Sequence, residues 1–318
     1  MQINKKALAY IGLIFVVLVW GLAPFFLRVL FKYFSPAINT SSGSFIACIC
    51  FAIISGKKLK LIDKSYLKIA IPLGVFYSLA SVMQKVGLPY TTDTQYAFLE
   101  NLSCVVVPVL VFFFTKKKPS VLTIFASVLC LISCFVLSGM DLSTGAMRFG
   151  IGELLCALAG VFYGVNIAGT GIFAKKLDTT VYLTIVMFIE SVVSLITAIS
   201  LNFITVGGKP IEPLIFNLNL ESLAIKLGIT LVSTVFCWAL RVSAMKEVDA
   251  TAVAVIMPMA ALVTTLVSVI SGAENVTLSL IIGATLGLVA SVLSGFGDIS
   301  SDTKLRKAMQ NCDSKKTE

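Results

Sequence analysis

Two glutamates stand where a charge is costly. Glu100 lies about eight residues into the long apolar run 93–115, and Glu190 lies at the middle of the run 179–201. A charged group at the centre of a membrane-spanning helix costs roughly 2.5–3.5 kcal/mol by insertion scales. Glu100 shares a helical face with Tyr96 and Ser103, with Asn101 beside it, and Glu190 shares a stripe with Ser191, Ser194 and Thr197. Stripes of this kind face protein or water rather than hydrocarbon. The chemistry they offer is binding of a cation, an amine or a proton. The alternative is an ion pair with Arg28, Lys85 or Arg241 that locks helices together. For those three basic residues, near helix ends, snorkelling to the headgroups is the ordinary explanation, with anion binding or gating as the other. Trp20, Tyr77, Tyr96 and Tyr163 are candidate cavity aromatics, because Trp20 sits too deep for an interfacial belt. Ser81, Gln84, Asn166 and Pro258 complete the candidate substrate-facing set.

The sequence is equally informative about chemistry it lacks. It contains no histidine, which removes Ser-His triads, His-based metal sites and the zinc-protease motif. No Walker A motif is present. Of eight cysteines, seven lie in apolar runs and Cys312 is in the tail; neither an apolar core nor the cytosol favours disulfides. Cys130 and Cys134 share a face, but two ligands do not make a metal site, so the cysteines read as small apolar side chains. No catalytic residue, metal or cofactor is expected.

The elements that position these residues are long and apolar. A hydrocarbon core about 30 Å thick needs roughly 20 apolar residues as a helix. The runs 8–30, 36–55, 67–88, 93–115, 120–139, 149–172, 179–201, 222–245, 250–272 and 276–297 meet that length. Hydrophobic residues make up 58% of the 318 and charged residues 13%, about half the share of a soluble domain, and the mean hydropathy is +0.98. The fold class is therefore an all-α polytopic membrane protein with ten transmembrane helices. Six of the 25 basic residues (Arg28, Lys32, Lys85, Arg148, Lys209 and Lys226) fall on one side, and the rest on alternate loops, the N-terminus and the tail. By the positive-inside rule both termini are expected in the cytoplasm of a multi-pass plasma-membrane protein. The net charge of +9 thus reads as orientation and attraction to the lipid bilayer, with no nucleic acid among the partners. Lys5 and Lys6 before an apolar run resemble a signal peptide, but the run is too long for one and is expected to remain as the first span.

The spans repeat. Gly74, Ser78, Ser81 and Lys85 of the third match Thr230, Thr234, Cys237 and Arg241 of the eighth at an offset of 156, each set forming one polar helix face. Two halves of five spans must insert with opposite topology, which predicts two inverted five-helix repeats, 1–145 and 146–299, with a mobile cytoplasmic tail at 300–318. Pro24, Pro72, Pro108 and Pro258 are expected to kink their helices. Gly160-x-x-x-Gly164 and Gly283-x-x-x-Gly287 signal close packing, and the connection 202–221 reads as irregular.

Trp20-Gly21 with Pro24, then Gln84, Gly87, Leu88, Tyr90 and Thr91, then Ala97-Phe98-Leu99, Pro108 and Lys117-Lys118-Pro119-Ser120, resemble the EamA-type repeat of the drug/metabolite transporter superfamily. Gly160 to Gly164, Asp249, Ala250, Pro258, Glu274 and Gly283 follow the same order more loosely in the second half. Lys117 stands where the family often carries a glutamate. The resemblance implies a secondary transporter of small organic metabolites, with an amino-acid or related exporter foremost, working by alternating access around a central cavity. It adds a small-molecule substrate and leaves open a coupling proton and a homodimer. A non-transporting receptor or scaffold would need soluble domains that are missing, and a membrane-embedded enzyme would need a constellation that the absent histidines deny.

Overall fold

The computed structural model describes residues 5–116, 118–137, 150–206, 209–248, 253, 256–257, 259–290 and 292–293, with the backbone alone at Lys175. Asp249, Pro258 and the tail from 294 lie outside the described residues. The chain is helical almost throughout. The helices are α1 (Lys5–Gly21), α2 (Ala23–Leu30), α3 (Pro36–Ser55), α4 (Lys64–Gly87), α5 (Asp93–Leu99), α6 (Ser103–Thr115), α7 (Val121–Leu137), α8 (Ile151–Phe173), α9 (Thr179–Phe203), α10 (Leu220–Ile229) and α11 (Cys237–Glu247), followed by Met259–Ile270 and Leu278–Ala290. Six helical segments are long and apolar enough to cross a membrane, and the pair α1–α2 makes a seventh. The shorter apolar helices Val121–Leu137, Met259–Ile270 and Leu278–Ala290 occupy the places of the fifth, ninth and tenth spans. The chain is a multi-pass membrane protein.

Three spans are interrupted, the first at its expected proline kink and the other two at places where the sequence marks no break. The first bends by 41° between α1 and α2, where Pro24 sits in the opening turn of α2 and its missing N–H costs nothing. The fourth is broken by a 3₁₀ turn at Glu100–Leu102 between α5 and α6. The eighth widens into a π-helical stretch, Thr230–Phe236, between α10 and α11. At Pro72 and Pro108 the helix assignment runs on through the proline. A proline withdraws the bond to the carbonyl four residues back, and here the Cys104 carbonyl accepts instead from Ser127 Oγ at 3.2 Å. The neighbouring break is served in the same way. Cys130 Sγ donates to the Asn101 carbonyl at 3.3 Å and Cys134 Sγ to the Phe98 carbonyl at 3.2 Å. These thiols are therefore more than apolar filler.

The halves interlock. The second span packs along the seventh and eighth, the third along the sixth and seventh, the fourth along the sixth, and the first along the eighth and ninth. Exchanging each span for its counterpart five places on maps this set onto itself, as a two-repeat fold requires. Gly160 shows how close the approach is: a Cβ there would lie 2.4 Å from the Leu99 carbonyl oxygen.

The loops gather at two ends. At the basic end Lys58 Nζ meets Asp178 Oδ2 at 2.9 Å. At the other, Ser35 N donates to the Ile215 carbonyl at 3.0 Å and Ala37 N to Glu212 Oε1 at 2.8 Å. The connection 202–221 is thus less irregular than expected, since Thr205–Val206 and Lys209–Pro210 pair antiparallel.

Candidate functional site

A cavity of about 150 Å³ lies between the halves, the size of an apolar cavity that accepts benzene. Its walls come from the interrupted spans and their partners. Trp20 and Pro24 approach from the first, Glu100 and Asn101 from the fourth, and Thr230, Thr234, Trp238 and Arg241 from the eighth. The third span adds Tyr77, Ser81, Gln84 and Lys85, the sixth Tyr163 and the seventh Glu190. Breaks in membrane helices are tolerated where the backbone borders protein or a cavity, and that is where these breaks sit.

One amide organises the fourth-span side. Gln84 Nε2 donates to Glu100 Oε2 at 2.8 Å, and Tyr163 Oη donates to Gln84 Oε1 at 3.0 Å. Glu100 sits on the 3₁₀ turn itself and makes no ion pair among the described residues, so the alternative of a direct pair with Arg28, Lys85 or Arg241 is not formed. Glu190 is different. It is 1% exposed, accepts from Ser44 Oγ at 2.6 Å and faces Lys85 Nζ at 3.7 Å. Lys85 also donates to Ser81 Oγ at 2.9 Å.

Lys85 and Arg241 turn toward the interior of the bundle. Arg28 joins Asp93 at 2.6 Å, at the outer mouth. Lys85 turns to Glu190. Arg241 is 3% exposed, with its guanidinium carbon 4.5 Å from the Trp238 ring centre and 5.7 Å from that of Trp20. A helix-end cation snorkels only when its stem can reach the interface; Arg241 is enclosed by neighbouring helices, whereas the Arg28 side chain stays 42% exposed. Trp20 is fixed by donation from Nε1 to the Ser233 carbonyl at 3.0 Å, inside the π-helical stretch. Tyr77 meets Trp238 edge-to-face, with centroids 4.4 Å apart.

Of the residues expected from sequence, Trp20, Tyr77, Ser81, Gln84, Tyr96, Glu100, Asn101, Tyr163 and Glu190 border the cavity. Asn166 does not: it is buried and donates to the Leu73 carbonyl at 3.0 Å, tying the sixth span to the third. Pro258 lies outside the described residues. The sequence reading missed Asn39, Ser44, Lys226 and Trp238. Lys226 Nζ donates to the Asn39 side-chain oxygen at 2.6 Å and also to the Asn39 carbonyl. The signal was present in the polar run Asn39-Thr40-Ser41-Ser42-Gly43-Ser44 and in a lysine set inside the eighth apolar run.

An apolar cluster lies on the basic-end side of the cavity. Leu13, Val107, Ile167, Met245 and Val253 belong to it; Ile167 lines the cavity itself, and the other four lie on the basic-end side of their spans' cavity residues.

The comparisons agree with this architecture. An uncharacterized transporter of Archaeoglobus fulgidus is 25% identical over 176 residues, which cover 55% of this chain and 53% of that protein; the match thus spans about half the length of that relative. A solved crystal structure of a protein aligns with a TM-score of 0.64 at 15% identity, covering 91% of this chain and 96% of the other, a likeness of fold. The EamA-like transporter family model matches twice, at 7–139 and 150–296. A doubled match on two interlocked halves around one enclosed cavity places the chain in that family: it belongs to the EamA-like transporters of the drug/metabolite transporter superfamily.

Proposed function

We propose that the protein is a secondary transporter that moves small organic metabolites by alternating access, with amino acids or related compounds as the foremost cargo and export as the direction. The observation that carries the reading is the charged cavity between the halves, bordered by three interrupted helices. Substrate sites in carriers built from repeats lie near mid-membrane at discontinuous helices. The apolar layer of Leu13, Val107, Ile167, Met245 and Val253 would act as the inner gate, opening when the halves rock against each other. Glu100 is the proposed coupling group. A carboxylate couples a proton to a conformational change only if its charged and neutral forms favour different states, and a group bordering a cavity that opens to each side in turn meets that condition. In this reading the protein sits in the plasma membrane with both termini cytoplasmic. The deciding experiment is a flux screen of labelled amino acids and related metabolites in proteoliposomes, with and without a pH gradient. Saturable flux of one class supports the reading. A reconstituted, folded protein that moves none of the panel in either direction counts against it.

A further inference from the structure

The cavity holds a cation that no carboxylate contacts directly: Glu100 attracts Arg241 from a distance but forms no ion pair with it. Among the described lining residues are three cations (Lys85, Lys226 and Arg241) and two carboxylates (Glu100 and Glu190). Glu190 is engaged by Lys85 and Ser44, Glu100 by Gln84, and Lys226 by Asn39. Arg241 has no such partner. It makes no ion pair among the described residues, its Nε is buried without a hydrogen bond, and only 3% of it is exposed. Two neighbouring indole rings, their centres 5.4 Å apart, lie on one side of its guanidinium carbon. Contact of this kind attracts the cation but satisfies none of its five N–H donors.

A buried charged donor without acceptors is costly. The fork of a guanidinium fits the two oxygens of a carboxylate as parallel hydrogen bonds, and the side of Arg241 away from the indoles leaves its N–H groups to meet them. One negative charge would also balance three cations against two carboxylates. We infer that Arg241 anchors the carboxylate of a small organic anion or zwitterion, whose flat or apolar body rests against Trp20, Tyr77 and Trp238. The assignment relies on the carrier reading only in taking this cavity as the cargo site.

The chain has two tryptophans, and both lie beside Arg241, so intrinsic fluorescence reports on this site alone. The experiment titrates the purified full chain in detergent, at constant ionic strength, with benzoate, benzamide and benzylamine, and with propionate and propionamide for a smaller body. The expected result is a saturable fluorescence change with a carboxylate and at least tenfold weaker binding of its amide. Arg241→Lys keeps the charge but loses the fork and is expected to weaken carboxylate binding tenfold or more; Arg241→Gln is expected to abolish the preference over the amide. A monodisperse elution profile and a sharp unfolding transition establish that each variant is folded. Equal binding of acid and amide, preference for the amine, no saturable response to either carboxylate, or wild-type carboxylate affinity in folded Arg241→Lys would each overturn the inference. Loss of carboxylate preference with metabolite flux intact removes the anchor and leaves the carrier. Carboxylate binding with no flux of any bound compound keeps the anchor and removes the carrier.

Discussion

Gln84 donates to Glu100 through its amide nitrogen at 2.8 Å while its amide oxygen accepts from Tyr163 at 3.0 Å. One side chain therefore joins the third, fourth and sixth spans and aims the carboxylate of the broken turn. Glu100→Gln preserves the shape and an oxygen to accept from Gln84 but removes the charge. The expected outcome is a protein that folds normally with transport lost or made independent of pH, read by proteoliposome flux across a pH series. Wild-type flux with wild-type pH dependence would remove Glu100 from coupling.

Glu190 has the opposite character, as a structural partner of Lys85. Glu190→Gln leaves the ammonium facing a neutral group. Breaking a buried pair from one side costs roughly 3–5 kcal/mol, and the low end applies because the Lys85 side chain is 21% exposed. A lowered unfolding temperature is expected, with partial recovery in Glu190→Gln combined with Lys85→Met. A double variant less stable than either single one would contradict the pairing.

Gly160 marks a close approach of the halves against backbone. A methyl group there lies 2.4 Å from the Leu99 carbonyl, an atom of backbone that cannot swing away. Overpacking of this kind costs about 1–3 kcal/mol. Gly160→Ala should unfold at a lower temperature than wild type, whereas Gly228→Ala, with nothing within 4 Å of the added carbon, should match or exceed it.

Asp178 caps α9 at the basic end. Its burial acts to raise the carboxyl, but the Lys58 ammonium, the Thr180 hydroxyl and the backbone N–H groups of Val181 and Thr180 outweigh it and bring it from 3.8 down to about 2. A group whose folded value is depressed contributes stability above its unfolded value, and that contribution fades as pH falls through the folded one. Wild type should therefore exceed Asp178→Asn in unfolding temperature at pH 4 and above, with the gap closing toward pH 2. A gap unchanged by acid would show that the charge is immaterial.

The orientation rests on lysines and arginines alone. Single cysteines introduced at 57–64 should be shielded from an impermeant reagent added outside, and those at 202–212 should react. External labelling of the first set would reverse the topology.

Much of this was legible from sequence because a bilayer reduces folding to the placement of apolar runs, and because Ser81, Gln84, Tyr96 and Glu100 advertise themselves as polar residues where none is cheap. Other features were not. The breaks at Glu100–Leu102 and Thr230–Phe236 carry no glycine or proline within them, and they depend on acceptors and donors supplied by other helices, such as the Cys130 and Cys134 thiols and the Trp20 indole. Lys85, Lys226 and Arg241 looked like helix-end residues because depth along a helix is readable from sequence while enclosure by neighbours is not. Asn166 misled for the converse reason: a polar side chain on a cavity-bearing helix can equally serve a backbone carbonyl across a close contact.

The interlocking of the halves has a consequence for biogenesis. The helices that cover the first repeat's polar faces are synthesised after it, so during translation Glu100 and Lys85 enter the bilayer before Tyr163 and Glu190 exist to meet them. The nascent first half must then wait as a loosely associated set of spans, with its charges facing lipid headgroups, water or an insertion chaperone. Assembly becomes a late, cooperative event in which the sixth and seventh spans close over the third, and a stalled or truncated chain would expose the same charges to quality control.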